Sequence, residues 1–182
     1  TAQVAQGLTT AQVVALSTAQ IQSLTTAQVV SLSTTNVAAL ETQDVAALKT
    51  NQIQALKTNQ VAALTTDQVQ SGLTTAQIVA LTTGQVSSGL TTAQIVALST
   101  GQVAAFETQD IAALKTTQIQ ALSTAQVQAG LTTAQVVALS TGQIQSLTTG
   151  QVIALSTTQV AALETRDVAA LKTSQVAVLT TD

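Results

Sequence analysis

Cysteine, histidine, methionine, proline, tryptophan and tyrosine are all missing from this 182-residue chain, and Phe106 is its only aromatic residue. Without histidine or cysteine there is no catalytic triad of the common kinds and no soft metal site. The lack of cysteine also removes any redox preference for a compartment. Charge is scarce: Asp, Glu, Lys and Arg make up 7% of the residues, against about a quarter in ordinary domains. Five basic residues within a net charge of −3 argue against a nucleic-acid or anionic-membrane partner. Apolar runs are only a few residues long, so no segment is expected to insert into a membrane. The chain has no initiator Met, opens inside a repeat at Thr1 and stops at Thr181-Asp182 as another begins. The expectation is a slice of a longer array.

What remains is Ala, Thr, Gln, Val, Leu and Ser on a fixed schedule. Disordered tracts lack aliphatic residues and carry net charge, whereas here the chain divides into 22 near-identical octads. Aligned on Leu, the octad reads Ser/Thr-Thr-x-Gln-Val/Ile-x-Ala/Ser-Leu, as in Ser17-Thr18-Ala19-Gln20-Ile21-Gln22-Ser23-Leu24. The Val/Ile position is aliphatic throughout, the second Thr never varies, and the closing Leu gives way only once, to Phe106.

Val29 and Leu32 are three apart, which places them on opposite faces of a strand but on one face of a helix. A single continuous helix is excluded, because eight residues at about 100° each overshoot two turns by about 80°, and no apolar stripe persists. The remaining solution is one short helix per octad with a break between octads. The invariant Thr is the expected N-cap. The competing register caps one residue earlier, as a Ser17-to-Gln20 capping box, but Glu41, Lys49 and Lys57 occupy that earlier position. Four units have nine residues and carry Gly before Leu: Gly7-Leu8, Gly72-Leu73, Gly89-Leu90 and Gly130-Leu131. Gly followed by an apolar residue predicts a left-handed helix C-cap, so the helix is expected to run from Thr to the residue before Leu.

Burying one Val and one Leu stabilises an octad by less than ordering its backbone costs. Stability must therefore come from stacking, and the fold class expected is an all-α solenoid of one-helix units. The small residue two after Val, such as Ala15, Ser23 or Ala39, would let helices approach closely. A longer period is superimposed. Acidic octads (Glu41/Asp44, Glu107/Asp110, Glu164/Asp167) are each followed by a Lys octad (Lys49, Lys115, Lys172). They divide a single array, 1–182, into blocks 1–64, 65–122 and 123–182. One reading is that a seven-unit block was copied by gene amplification. The other is that seven or so units make one superhelical turn.

No residue is assigned a catalytic, cofactor-binding or metal-binding role, and no enzyme is expected. The single glycines form no phosphate-cradling loop. The carboxylate pairs could share a helix face and meet a hard cation, but two carboxylates fall short of the oxygens Ca²⁺ takes. The favoured reading is a solvated ion-pair row, Glu41 beside Lys49. A Thr every eight residues could form an ice-binding hydroxyl array, unless its hydroxyl is committed to capping. Gln12, Gln20 and Gln28 either build a hydrogen-bonded ladder or form a simple polar surface, and the residues do not decide between these.

The stretch Leu8-Thr9-Thr10-Ala11-Gln12-Val13-Val14-Ala15-Leu16 resembles the opening helix of TAL effector repeats. The second helix and the base-reading pair of that family are absent, so DNA recognition does not transfer. Over the whole chain the octads are similar to the repeat arrays of giant repetitive proteobacterial surface proteins, described as adhesin-like or haem-utilisation-like. That resemblance implies an extracellular or cell-surface stalk, matrix or filament. The residues themselves offer no haem ligand, since His, Met, Cys and Tyr are absent. The function expected is a non-catalytic structural segment that associates with itself through its weakly charged repeat surfaces. The alternative is a surface module binding a cell-surface glycan or ice through a repeated Thr/Gln face.

Overall fold

A computed structural model describes residues 8–179. Among them every regular element is helical and no strand occurs. Nearly every octad gives one helix of four to six residues, such as Thr18–Ser23, Thr58–Ala63 and Thr141–Ser146. The helix begins at the invariant Thr and ends before Leu. Between helices the Leu and the next residue are extended, as at Leu24 (ψ 136°) and Thr25 (ψ 157°). That two-residue break absorbs the angular excess an eight-residue period would otherwise build up.

The cap lies one residue earlier than expected. Ser17 accepts a bond from the Gln20 N–H, and Thr18 is the first helical residue. The capping box decides the matter, because Gln20 Oε1 in turn accepts from the Ser17 N–H at 2.8 Å. Where Lys occupies the cap, half of the box persists: the Lys57 N–H still donates to Gln60 Oε1 at 2.9 Å. A cap side chain without an acceptor is therefore tolerated, and the identity of that residue drifts.

The chain forms two compact units, residues 1–97 and 98–182. Inside each, an octad packs on the octad three places earlier. In the first unit helix Thr42–Ala47 lies on Thr18–Ser23 and Thr50–Ala55 on Thr26–Ser31; in the second, Thr165–Ala170 lies on Thr141–Ser146. Side-chain bonds reach the octad four places earlier, as from Gln60 to Leu32, 28 residues back. Within each unit one superhelical turn therefore takes between three and four octads, not seven.

The Val/Ile side chains are sealed between turns: Ile53, Val61, Ile111 and Ile144 are all 0% exposed. The Leu side chains point to the inside of the coil. In the first unit Leu24, Leu32, Leu40, Leu48, Leu56 and Leu64 converge on a gap of about 10 Å³, room for one water molecule at most. The first unit is thus filled there rather than hollow.

The glycine units depart from the expected C-cap. None of the described glycines has positive φ. The last turn instead widens, and the Leu73 N–H bonds the Gln68 carbonyl five residues back at 2.9 Å. Glycine is needed for lack of space. A Cβ on Gly72 would meet Val45 Cβ and the Thr42 carbonyl at 3.1 Å, and one on Gly130 would meet Val103 Cβ at 3.1 Å. These glycines are the ninth residue of their units, inserted between the small position (Ser71, Ser88, Ala129) and Leu, and each lies against the Val of the octad three places earlier. Gly7 lies outside the described residues.

Candidate functional site

The polar residue three after the cap is the most specialised position of the octad. From 33–40 onward every octad buries it, whether as Asn36, Gln60, Asp110 or Gln175. It is neither a surface residue nor part of a Gln-to-Gln ladder. Gln60 Nε2 donates to the Val29 and Leu32 carbonyls, both at 2.9 Å, while its Oε1 holds the Lys57 N–H. Gln77 does the same to Val45 and Leu48 at 2.8 and 2.7 Å, and Gln151 to Ile119 and Leu122 at 2.8 and 2.7 Å. One amide caps its own helix and satisfies the C-terminal carbonyls of a helix in the turn below. The Val or Ile carbonyl already accepts the N–H of its own Leu, as Val29 does from Leu32 at 3.2 Å; the Leu carbonyl is the one the amide supplies with a donor.

Gln12 and Gln20 are exposed and Gln28 is half-buried. No described octad lies four places before theirs, so no carbonyls meet their amides.

The three acidic octads place Asp at this buried position. Asp44 and Asp110 are 1% exposed and Asp167 is 0% exposed, so the pairs do not form a solvated carboxylate row. Glu41 stays at the exposed cap position, where it accepts a bond from Gln43 at 2.5 Å. It makes no ion pair with Lys49. The Asp44 carboxylate finds no donor in the turn below, and the donor that acts on it is the Glu41 main-chain N–H of its own octad. Burial is the leading influence on Asp44 and raises its pKa; the Glu41 main-chain N–H works to lower it, and the Glu41 charge adds a smaller upward push. In the third acidic octad Arg166 replaces the Gln43 equivalent. Its Nε lies 2.7 Å from Glu164 and 3.8 Å from Asp167 Oδ1.

The invariant Thr faces outward. Thr10, Thr18, Thr26, Thr34 and Thr50 are exposed at the first helical position, and the cap duty belongs to the residue before each. The objection that capping occupies these hydroxyls therefore does not apply. Exposed apolar side chains are scattered rather than continuous, Val79, Val96 and Ile153 among them. No helix among the described residues is long and apolar enough to cross a membrane.

The amide contacts were the main thing sequence reasoning missed. The available signal was the near-constancy of Gln at one position of a helix otherwise tolerant of Gln, Ala, Ser or Val.

Comparison with protein families finds the ALTTAQ repeat, matched over residues 1–34, 37–71, 103–141, 133–165 and 160–182. A comparison with curated protein sequences finds no match.

Proposed function

We propose a non-catalytic structural role for this chain, which belongs to the ALTTAQ repeat family: it is the repeating body of a bacterial extracellular fibre, matrix or adhesin. One observation supports the structural part of this reading above the others. The near-constant Gln of the octad is spent on internal bonding, as Gln60 and Gln151 show. The core positions Val, Ile and Leu are likewise consumed by stacking. An array whose distinctive chemistry is turned inward suits a spacer. The extracellular setting follows from the resemblance to surface-protein arrays, and self-association from the sparse surface charge. Electron microscopy and sedimentation of the purified chain test the assembly. Fibres or sheets, with a mass that grows with concentration, are expected, and a monodisperse monomer across the accessible range would sink it.

A second reading rests on the exposed threonines. Thr18, Thr26 and Thr34 present free-standing positions at an eight-residue interval, a regular polar surface on which a glycan or ice lattice could settle. Thermal hysteresis or glycan capture by the chain alone is required, and a blank in both retires it.

A further inference from the structure

Asp44 occupies the position that elsewhere ties one turn to the turn below. The amide there works at both ends: Gln52 Oε1 accepts the Lys49 N–H at 2.7 Å, and Gln52 Nε2 donates to the Leu24 carbonyl, 28 residues earlier, at 2.7 Å. Asp44 keeps the first half, since the Glu41 main-chain N–H acts on its carboxylate. The same separation puts the Leu16 carbonyl in the register of the second half (44 − 16 = 28). That carbonyl accepts no bond among the described residues. An ionised carboxylate has no donor to offer it, and Asp44 is 1% exposed, shut off from bulk water.

A proton removes the mismatch. A neutral carboxyl carries one O–H donor and one carbonyl acceptor, the pattern that the amide brings to this position. Its C=O takes the Glu41 N–H, and its O–H is left for Leu16. A short side chain is no obstacle, because Asn36 donates from Nδ2 to the Leu8 carbonyl, also 28 residues back, at 3.2 Å. The surroundings favour the neutral form. Burial is the leading influence on Asp44 and raises its pKa, against the Glu41 N–H and with a smaller push from the Glu41 charge. The helices Thr10–Val14 and Thr18–Ser23 of the earlier octads carry no charged residue. On the side of the later octads, Asp67 precedes Gln68–Gly72 and is exposed, as is Lys49 of the next octad. The third acidic octad differs: Arg166 stands 3.8 Å from Asp167, whereas Gln43 holds the equivalent place beside Asp44.

We propose that Asp44 is a proton-operated tie between turns: with its proton the carboxyl donates to the Leu16 carbonyl and joins two turns as a glutamine amide does, and without it the tie is open. One proton is taken up from water and held on a carboxyl oxygen, and no other bond is made or broken. The folded chain holds this proton at a pH where the unfolded chain has already lost it. The tie therefore contributes fully below the ordinary carboxylate pKa and is lost as pH rises through the raised folded value. Octads 9–16 and 41–48 are held together more tightly in mild acid than at neutral pH, the reverse of what a salt-bridged carboxylate does.

Hydrogen exchange of the full chain, followed by mass spectrometry on peptides covering 9–16 and 41–48, tests it. Wild type and Asp44→Asn are compared at each pH, so that the intrinsic pH dependence of exchange cancels. Asn supplies a donor at every pH, and it already fills the equivalent position at Asn36. At pH 7 wild type is expected to exchange about tenfold faster than Asp44→Asn in both octads, about the worth of one hydrogen bond. The ratio should fall toward one by about pH 4. Asp44→Ala, with neither donor nor charge, should stay faster than Asp44→Asn at both pH values. Repeating the comparison in a Glu41→Gln background should leave the convergence in place. A ratio that does not change between the two pH values would overturn the tie. So would an Asp44→Ala chain as slow as Asp44→Asn, or a convergence that vanishes with Glu41→Gln and so belongs to Glu41.

Discussion

The side-chain amide of Gln60 donates to the Leu32 carbonyl across 2.9 Å of space and 28 residues of chain. The same amide group, through its oxygen, holds the N–H of Lys57 at the start of its own helix. Local capping and long-range stacking are thus carried by one side chain, and removing it should disturb both.

Gln60→Ala is expected to cost about 1–3 kcal/mol, the range for leaving a buried group, here the Leu32 carbonyl, unsatisfied. Urea denaturation gives the value. A loss within error of zero would mean that water replaces the amide without penalty.

Two glycines of the 82–90 unit should respond oppositely to alanine. A Cβ at Gly89 would meet Val61 Cβ and Cγ1 at 3.1 Å, whereas one at Gly84 meets nothing within 4 Å. Gly89→Ala is expected to destabilise by about 1–3 kcal/mol through overpacking. Gly84 already has helical φ of −67°, so Gly84→Ala should stabilise by about 0.5–1 kcal/mol. Matched thermal melts decide, and equal effects at both sites would refute the close-approach account.

The capping register is open to the same treatment. Ser140 accepts the Gln143 N–H at 3.3 Å while Thr141 is the first helical residue. Ser140→Ala should cost about 1 kcal/mol, and Thr141→Ala less than about 0.5 kcal/mol. Lys49→Ser supplies an acceptor that lysine lacks and should raise stability by about 1 kcal/mol. Calorimetry on the three variants checks the order.

Ile144 is 0% exposed and Ile153, in the next octad but one place further from the cap, is 62% exposed. Ile144→Ala is expected to cost about 2–5 kcal/mol, and Ile153→Ala to stay within about 0.5 kcal/mol. Chemical denaturation of both variants separates the inward position from the outward one.

The helix of each octad was legible because Val29 and Leu32 sit three apart and the punctuation recurs. Stacking was legible too, since no octad buries enough to stand alone. The cap was misplaced because the invariance of Thr18 suggested the more important role, whereas the box formed by Ser17 and Gln20 tolerates change at its first residue. Gly72 was misread because Gly before Leu marks either a left-handed backbone or a lack of room, and only the position of Val45 distinguishes them. The partners of Gln60 and the burial of Asp44 were out of reach. They depend on how many octads complete a turn, and a repeat whose units are alike contains no periodic mark of that number.

Because a turn is not a whole number of octads, the units are laid like bricks in running bond. Each octad rests across the joint between two below it, the third earlier and the fourth earlier. A vertical crack in such a wall meets the middle of a brick at the next course, so within each compact unit no straight seam runs along the coil. The pattern is also indifferent to length. Adding or deleting one whole octad shifts the courses above it by a single brick and leaves every bonding rule unchanged.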